Sequence, residues 1–132
     1  NGGRGGAGYL DAHRNEVHAA AMESDGGVFS PFGFGFTGSD AARAIVTQAG
    51  SLLDRIGAGR IGPNGGGADI GPIMTTGVPG FGLEVDGSKY FWYHHTPADT
   101  PDKLDPAEMQ RCVAAFAVMA YIIAELPELL PR

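Results

Sequence analysis

The most constraining feature of the sequence is a run of apolar residues, Cys112 to Ala124, near its carboxyl end. Asp105 is a suitable N-cap, Pro106 suits the first helical position, and Glu108 can complete a capping box, so we predict that a helix begins here. Pro127 ends it. The run is apolar nearly all round and is too short to span a bilayer. We therefore expect a helix that is buried against a sheet.

The rest of the chain alternates short strand patterns with helical patterns, which indicates an α/β fold. Phenylalanines alternate with glycines over residues 28–38 and predict a strand that other backbone approaches closely. A helix capped by Thr37 or Ser39 is predicted next. Its expected inner face consists of Ile45, Ala49, Leu52 and Ile56. The other predicted segments are a helix at 7–16, strands at 17–23, 80–85 and 89–94, a helical turn within 68–76, and loops at 60–67 and 95–105.

Composition limits the class of protein further. The chain has 132 residues, a net charge of −6 and one cysteine, Cys112. This length fits one domain, and the acidic charge disfavours a nucleic-acid partner. A single cysteine excludes an internal disulfide and a multi-cysteine zinc site. The chain begins at Asn1 with a glycine-rich stretch and without an initiator methionine. We therefore expect that it is part of a longer sequence and that targeting information lies outside it.

Acidic residues follow the first predicted strand. Ligands of α/β sheets gather beyond the carboxyl ends of the strands, so polar residues at these ends are candidate site residues. Glu23 and Asp25 are two residues apart at the end of their strand, so their side chains are expected to point to the same face of the sheet. Paired carboxylates suit divalent cations, whereas a solvated acidic turn explains them equally well. Both interpretations remain open at this stage.

Two adjacent histidines follow the last predicted strand. On an extended segment His94 and His95 point to opposite sides, so they are not expected to bind one metal ion together. One of them is a candidate ligand, although a structural pair of histidines is the simpler interpretation. Asp99 could accept a hydrogen bond from the second ring nitrogen of the ligand, or it could cap the turn at Thr100.

A glycine-rich loop precedes Asp69. Residues 65–67 are all glycine, and no lysine of a phosphate-binding loop accompanies them. The loop could position Asp69 near a substrate, or it could be an ordinary surface loop.

Four segments occur in the same order in a known family of enzymes, namely His18–Gly27, Gly66–Pro72, Gly77–Leu83 and Tyr93–Asp105. On these segments the chain resembles the C-terminal part of a co-catalytic zinc exopeptidase of the aminopeptidase and glutamate carboxypeptidase family, and is most similar to its plasma glutamate carboxypeptidase (carboxypeptidase Q) group. The resemblance implies an α/β fold with a mixed sheet flanked by helices, in which residues 1–132 form the C-terminal part of a single catalytic domain.

The resemblance also implies a metal site. In that family two zinc ions share a bridging aspartate, and a glutamate activates water as general base. Asp25 matches the terminal carboxylate ligand of one zinc ion, and His95 matches the histidine ligand of the other. Asp69 matches a position beside the substrate pocket, and Asp99 is placed to orient His95. The general base and the other ligands are expected upstream of Asn1, so the chain alone is expected to bind zinc weakly and to be inactive.

The expected partners follow from the same resemblance. The parent enzyme would hydrolyse dipeptides or short peptides and would be exported, because relatives are commonly exported. The sheet would lack its N-terminal strands, so we expect a homo-oligomer that forms through an exposed sheet edge. Two alternatives remain: a receptor or interaction domain that has the family fold but has lost metal ligands, and a generic acidic α/β domain whose glycine loops bind a small ligand.

Overall fold

A four-stranded mixed sheet organises the chain. The computed structural model describes residues 3–132. The strands lie in the order β1-β4-β2-β3, and β4 runs parallel to β1 but antiparallel to β2, which is parallel to β3. The elements are α1 (Arg4–His13), β1 (Ala21–Glu23), β2 (Pro31–Thr37), α2 (Asp40–Ser51), β3 (Arg60–Pro63), α3 (Gly71–Met74), β4 (Gly80–Val85), α4 (Tyr90–Tyr93) and α5 (Pro106–Ala124), with 3-10 turns at Asp54–Ile56, Gly87–Lys89 and Pro101–Lys103.

The alternation of phenylalanine and glycine forms strand β2, as predicted, and places the two residue types on opposite faces of the sheet. Phe34 and Phe36 lie opposite Leu83 and Phe81 of β4, and all four side chains are buried in the core. The ring centroids of Phe36 and Phe81 are 4.9 Å apart. The opposite face of β2 carries glycines, so backbone can lie directly on it.

Helix α2 confirms the predicted cap but not the whole predicted inner face. The Ser39 side chain accepts a hydrogen bond from the Ala42 N–H at 3.1 Å, and the helix starts at the next residue. Leu52 was expected to face inward, yet 67% of it is exposed, whereas Leu53 is only 2% exposed. The helix ends at Ser51, and the change of direction after it brings Leu53 to the core.

Helix α5 begins where it was predicted, with the Asp105 carboxylate accepting from the N–H groups of Ala107 and Glu108. The predicted burial of the helix against the sheet is confirmed for one of its faces. One face packs on the sheet, while Val113 and Tyr121 on other faces are exposed. By length and composition the helix could also cross a membrane, but its packing on the sheet favours a core helix. The face on the sheet consists of Cys112, Ala115, Met119 and Ile123.

Residues 60–67 were predicted to form an exposed loop, and the structure differs from this prediction. Its first half is strand β3, and its second half crosses the glycine face of the sheet. A Cβ atom on Gly65 would lie 2.2 Å from the Gly35 carbonyl oxygen and 2.4 Å from that of Gly80. The crossing therefore requires glycine, because a side chain on Gly65 would meet backbone on both neighbouring strands.

Two further boundaries differ from the predictions. Residues 89–94 were predicted as a strand because they are rich in aromatic residues, but they form a 3-10 turn followed by α4. The Asp86 carboxylate caps this turn by accepting from the Ser88 N–H at 2.9 Å. Helix α1 begins three residues earlier than predicted, and the strand predicted at 17–23 is limited to β1.

Candidate metal and substrate site

Four of the six candidate residues discussed from the sequence, Asp25, His94, His95 and Asp99, line one cavity of about 310 Å³, which we call the histidine cavity. Asp25 enters it from the segment after β1, and His95 and Asp99 enter it from the loop after α4. Both segments therefore end at the same side of the molecule although they are 70 residues apart in the chain. The cavity is completed by Gly27, Phe29, Tyr90, Tyr93, Lys103 and Leu104.

The end of α4 sets the position of His95. The Thr96 N–H and hydroxyl both donate to the Tyr93 carbonyl oxygen, at 2.9 and 2.8 Å, which closes a tight turn. His95 lies inside this turn with a left-handed φ of 57°. Non-glycine residues adopt this conformation rarely, so the turn holds His95 in a strained but defined orientation.

The two histidines do not point to opposite sides, as an extended segment would require. Their rings stack with centroids 3.8 Å apart, and the ring of His94 stacks in turn on Tyr90 at 4.4 Å. The segment is helical and then turned, so the alternation that underlies the prediction does not apply. The result is a stack of three rings, Tyr90, His94 and His95, in which His95 is the outermost.

Asp99 lines the same cavity as His95. Its backbone N–H donates to the Thr96 carbonyl oxygen at 3.1 Å, which fixes the loop between the two residues. Within residues 3–132 no hydrogen bond joins the Asp99 carboxylate to the His95 ring. Its orienting role therefore remains a prediction.

Glu23 and Asp25 have different surroundings in the structure. The Glu23 Oε2 atom accepts hydrogen bonds from the N–H groups of Asp69 and Ile70, at 3.0 and 3.1 Å. Glu23 thus fixes the end of the glycine-rich crossing to β1. Asp25, two residues further on, lines the histidine cavity.

Asp69 lies in another cavity, of about 470 Å³, which we call the tyrosine cavity. Tyr9 and His18 also line it, and the Tyr9 hydroxyl is 3.0 Å from the His18 Nε2 atom. Asp69 therefore lines a different cavity from Asp25 and His95. The hydrogen bonds to Glu23 connect its loop to the end of β1, two residues before Asp25.

A lysine that the sequence analysis did not single out also lines the histidine cavity. Lys103 forms an ion pair with Asp102, which raises the pKa of the lysine, and the same bond lowers the pKa of Asp102. The positive charge that Lys103 brings to the cavity is therefore paired with the Asp102 carboxylate. Only the turn geometry of Pro101–Lys103 brings it there, and no sequence motif signals it.

The donors in the histidine cavity fit zinc in kind. A carboxylate and an imidazole are both common zinc ligands, although a zinc site needs at least three protein ligands. In residues 3–132 there is no group of three histidine, cysteine, aspartate or glutamate side chains close enough to hold a metal ion. The described residues therefore supply suitable ligands but not a complete set.

Residues 4–120 of the chain match Peptidase family M28. The chain is 41% identical to carboxypeptidase Q of Mus musculus and 40% identical to carboxypeptidase Q of Homo sapiens, in alignments that cover 99% of it. The chain belongs to peptidase family M28. This membership confirms the resemblance that the sequence segments indicated.

A solved structure confirms the fold. The structure of a peptidase M28 precursor from Shewanella amazonensis SB2B matches 97% of this chain with a TM-score of 0.89 and 35% sequence identity. The α/β fold with a mixed sheet flanked by helices is therefore correct. The chain spans 28% of the length of the carboxypeptidase Q relatives and 30% of the Shewanella chain.

Proposed function

We propose that residues 1–132 are the C-terminal part of the catalytic domain of a zinc-dependent exopeptidase that hydrolyses dipeptides or short peptides. The observation that carries this proposal is the meeting of Asp25 and His95 in the histidine cavity of an M28 family chain. A carboxypeptidase is the specific class named for the relatives. The tight turn after α4 and the exit of β1 are the elements that hold the two side chains.

Asp25 and His95 are the proposed zinc ligands, one for each of two ions. Bound zinc would polarise a peptide carbonyl and lower the pKa of water. Asp99 is proposed to keep the His95 ring oriented, and Asp69 is proposed to lie beside the bound peptide. Lys103 is proposed to contact the carboxylate of a short peptide in exchange for its present partner, Asp102.

The chain by itself is proposed to bind zinc weakly and to be inactive. Each ion would have one ligand from the described residues, whereas a catalytic zinc ion typically has three protein ligands and water. The general base is proposed to come from a glutamate outside these residues. Export of the complete protein is proposed from the family resemblance, and fractionation of the native cells would test it.

The test uses the protein expressed from its whole reading frame, with zinc content measured by mass spectrometry and activity measured on dipeptides. We expect Asp25→Ala and His95→Ala each to lose about one zinc ion and most of the turnover, because each removes a ligand of a different ion. Asp69→Ala is the matched control for zinc content, since Asp69 lies in the tyrosine cavity and its variant should keep both ions.

Unchanged zinc content in both ligand variants would refute the assignment of Asp25 and His95. It would favour the receptor or interaction domain instead. Tight, stoichiometric zinc binding by residues 1–132 alone, measured by isothermal titration calorimetry, would refute the proposal that the ligand set is incomplete.

A further inference from the structure

An open apolar groove lies between helix α5 and the end of strand β1. It has a volume of about 330 Å³, and we call it the α5 groove. Val113 lines it and is 58% exposed, and no charged residue occurs in α5 between Cys112 and Ala124. Contiguous apolar surface of this kind is typical of a contact with another element or another protein. The lining also includes Ser24, Val28, Leu83, Phe116 and Ala117.

The helices on this face of the sheet leave its outer strand open. Helix α2 packs on β3 and β2, and α5 lies beside α2 and packs on β2. Met22 of β1 is the register partner of Phe81 of β4, so its side chain lies on the face that α5 covers. In residues 3–132 no helix other than α5 lines the groove. The row of helices α2 and α5 therefore stops before it reaches β1.

The rest of β1 is accompanied by described residues, which limits the opening to the groove. The side chain of Ala21, next to Met22 in the strand, points away from α5 and lines the tyrosine cavity with residues of α1 and α3. The segment after α5 returns to the residues before β1, where the Arg132 guanidinium donates to the His18 carbonyl oxygen at 2.7 Å. The part that stays open is the end of β1 on the side of α5.

The pairing of β1 favours a helix as the occupant of the groove. Strand β1 runs parallel to β4. Parallel strands in α/β sheets have helices on both faces, and neighbouring helices in such a layer lie about 8–10 Å apart. The side chains of a helix beside α5 would enter the groove and contact Val113, Phe116 and Ala117. Because no charged residue lines the groove, the face of that helix that contacts it should be apolar.

We propose that the α5 groove holds an amphipathic helix from the part of the protein that precedes residue 1. The chain spans 28% of the length of the carboxypeptidase Q relatives, so a protein of their length has room for this helix outside residues 1–132. The inference rests on the proposed function, which makes these residues the C-terminal part of a larger catalytic domain. It goes beyond that function because it names the surface on which the two parts of the domain meet.

A photoreactive residue in the groove would identify the occupant. Benzoylphenylalanine would replace Val113 in the protein expressed from its whole reading frame, and the peptide that becomes cross-linked on irradiation would be identified by mass spectrometry. We expect an intramolecular cross-link to a peptide from upstream of residue 1. Ala114 is the control position, because it is exposed and does not line the groove. The cross-link should be lost when the photoreactive residue stands there instead.

Other products would overturn the proposal. A cross-linked dimer on a denaturing gel would show that a second copy covers the groove, and a cross-link to lipid in the native membrane fraction would show that a bilayer does. No cross-link at Val113 would show that the groove is open in the whole protein.

The cross-link does not depend on zinc or hydrolysis, so the two proposals can fail separately. An intramolecular cross-link in a protein that neither holds zinc nor cleaves peptides would support the docked helix and refute the proposed function. A zinc-loaded, active protein without this cross-link would overturn the docked helix alone.

A pair of charged variants supplies an independent check without a bulky group. Ala117→Asp would bury an unpaired carboxylate under the docked helix, whereas Ala114→Asp, the same substitution three residues away, leaves its charge in water. We expect Ala117→Asp to lower Tm of the whole protein by about 4 °C more than Ala114→Asp does. Equal Tm values in the two variants would overturn the proposal, because both alanines are exposed in residues 3–132.

Discussion

His95 combines a strained backbone with a supported side chain. A left-handed φ of 57° costs a residue with a Cβ atom about 1 kcal/mol. The stack of Tyr90, His94 and His95 opposes this cost by packing the ring on its neighbour. Strain of this kind concentrates at functional sites, where it holds a side chain ready for its ligand. His94 is then a positioning residue for the proposed ligand.

A substitution of His94 tests this role. We expect His94→Ala to weaken zinc binding at the His95 position about tenfold, because groups that orient a ligand typically affect metal affinity by this much. The measurement is competition with a chelator, using the protein expressed from its whole reading frame. His13→Ala is the control, since it removes another ring stacked on a tyrosine, at 4.4 Å in α1. Equal zinc affinity in the two variants would contradict the positioning role.

The elements differ in how well the sequence predicts them. Helix α5 and strand β4 begin where the sequence indicates, because a cap with proline and a glycine-bounded apolar run are local signals. The sequence predicts a loop where strand β3 forms, because glycine and proline are frequent there and the pairing of β3 with β2 is a long-range contact. The sequence predicts a strand where helix α4 forms, because aromatic residues favour strands. In the structure the 3-10 turn capped by Asp86 leads directly into a helix.

The glycine-rich crossing gives a test at the level of the elements. We expect Gly65→Ala to destabilise the fold by about 3 kcal/mol, because the added methyl group meets carbonyl oxygens of β2 and β4. Gly8→Ala, inside α1, is the control: a Cβ atom there meets nothing within 4 Å, and the change should stabilise α1 by about 0.5 kcal/mol. Urea unfolding of the three proteins measures both effects. Equal stability of Gly65→Ala and the unmodified chain would show that the crossing does not pack on the sheet.

In the whole molecule, the candidate site was predicted only in part. Asp25, His95 and Asp99 were singled out from the sequence, and they share a cavity. The family resemblance places Asp69 beside the substrate pocket, and in the structure Asp69 lines the tyrosine cavity, where its N–H donates to Glu23. Lys103 was missed entirely, since only the turn at Pro101–Lys103 brings it to the histidine cavity and no motif signals it.

The predicted homo-oligomer concerns the whole molecule and remains to be tested. Strand β1 is an outer strand of the sheet. The Ala21 N–H donates to the Pro79 carbonyl oxygen at 2.9 Å, so the next N–H, that of Met22, faces the free edge. We expect residues 1–132 to associate through this edge, and Met22→Pro to weaken the association by removing that donor. Met22→Ala is the control, because it removes the same side chain but keeps the N–H group.

Light scattering over a range of concentrations measures this association. A monomeric mass for the unmodified chain at all concentrations would contradict the prediction. Equal association of the proline and alanine variants would place the contact elsewhere than at β1.

The glycine-rich crossing also affects how this gene can vary. Every single-base change in a glycine codon that alters the amino acid introduces a side chain or a stop codon. At Gly65 that side chain meets backbone oxygen on two strands, whereas at Gly67 it meets only the far end of the Glu23 side chain, which can move. Copying errors at the Gly65 codon are therefore expected to yield a product that folds poorly, even when every residue of the proposed active site is intact. A randomised library that aims at new peptide specificity would keep more folded members if this codon were left unchanged.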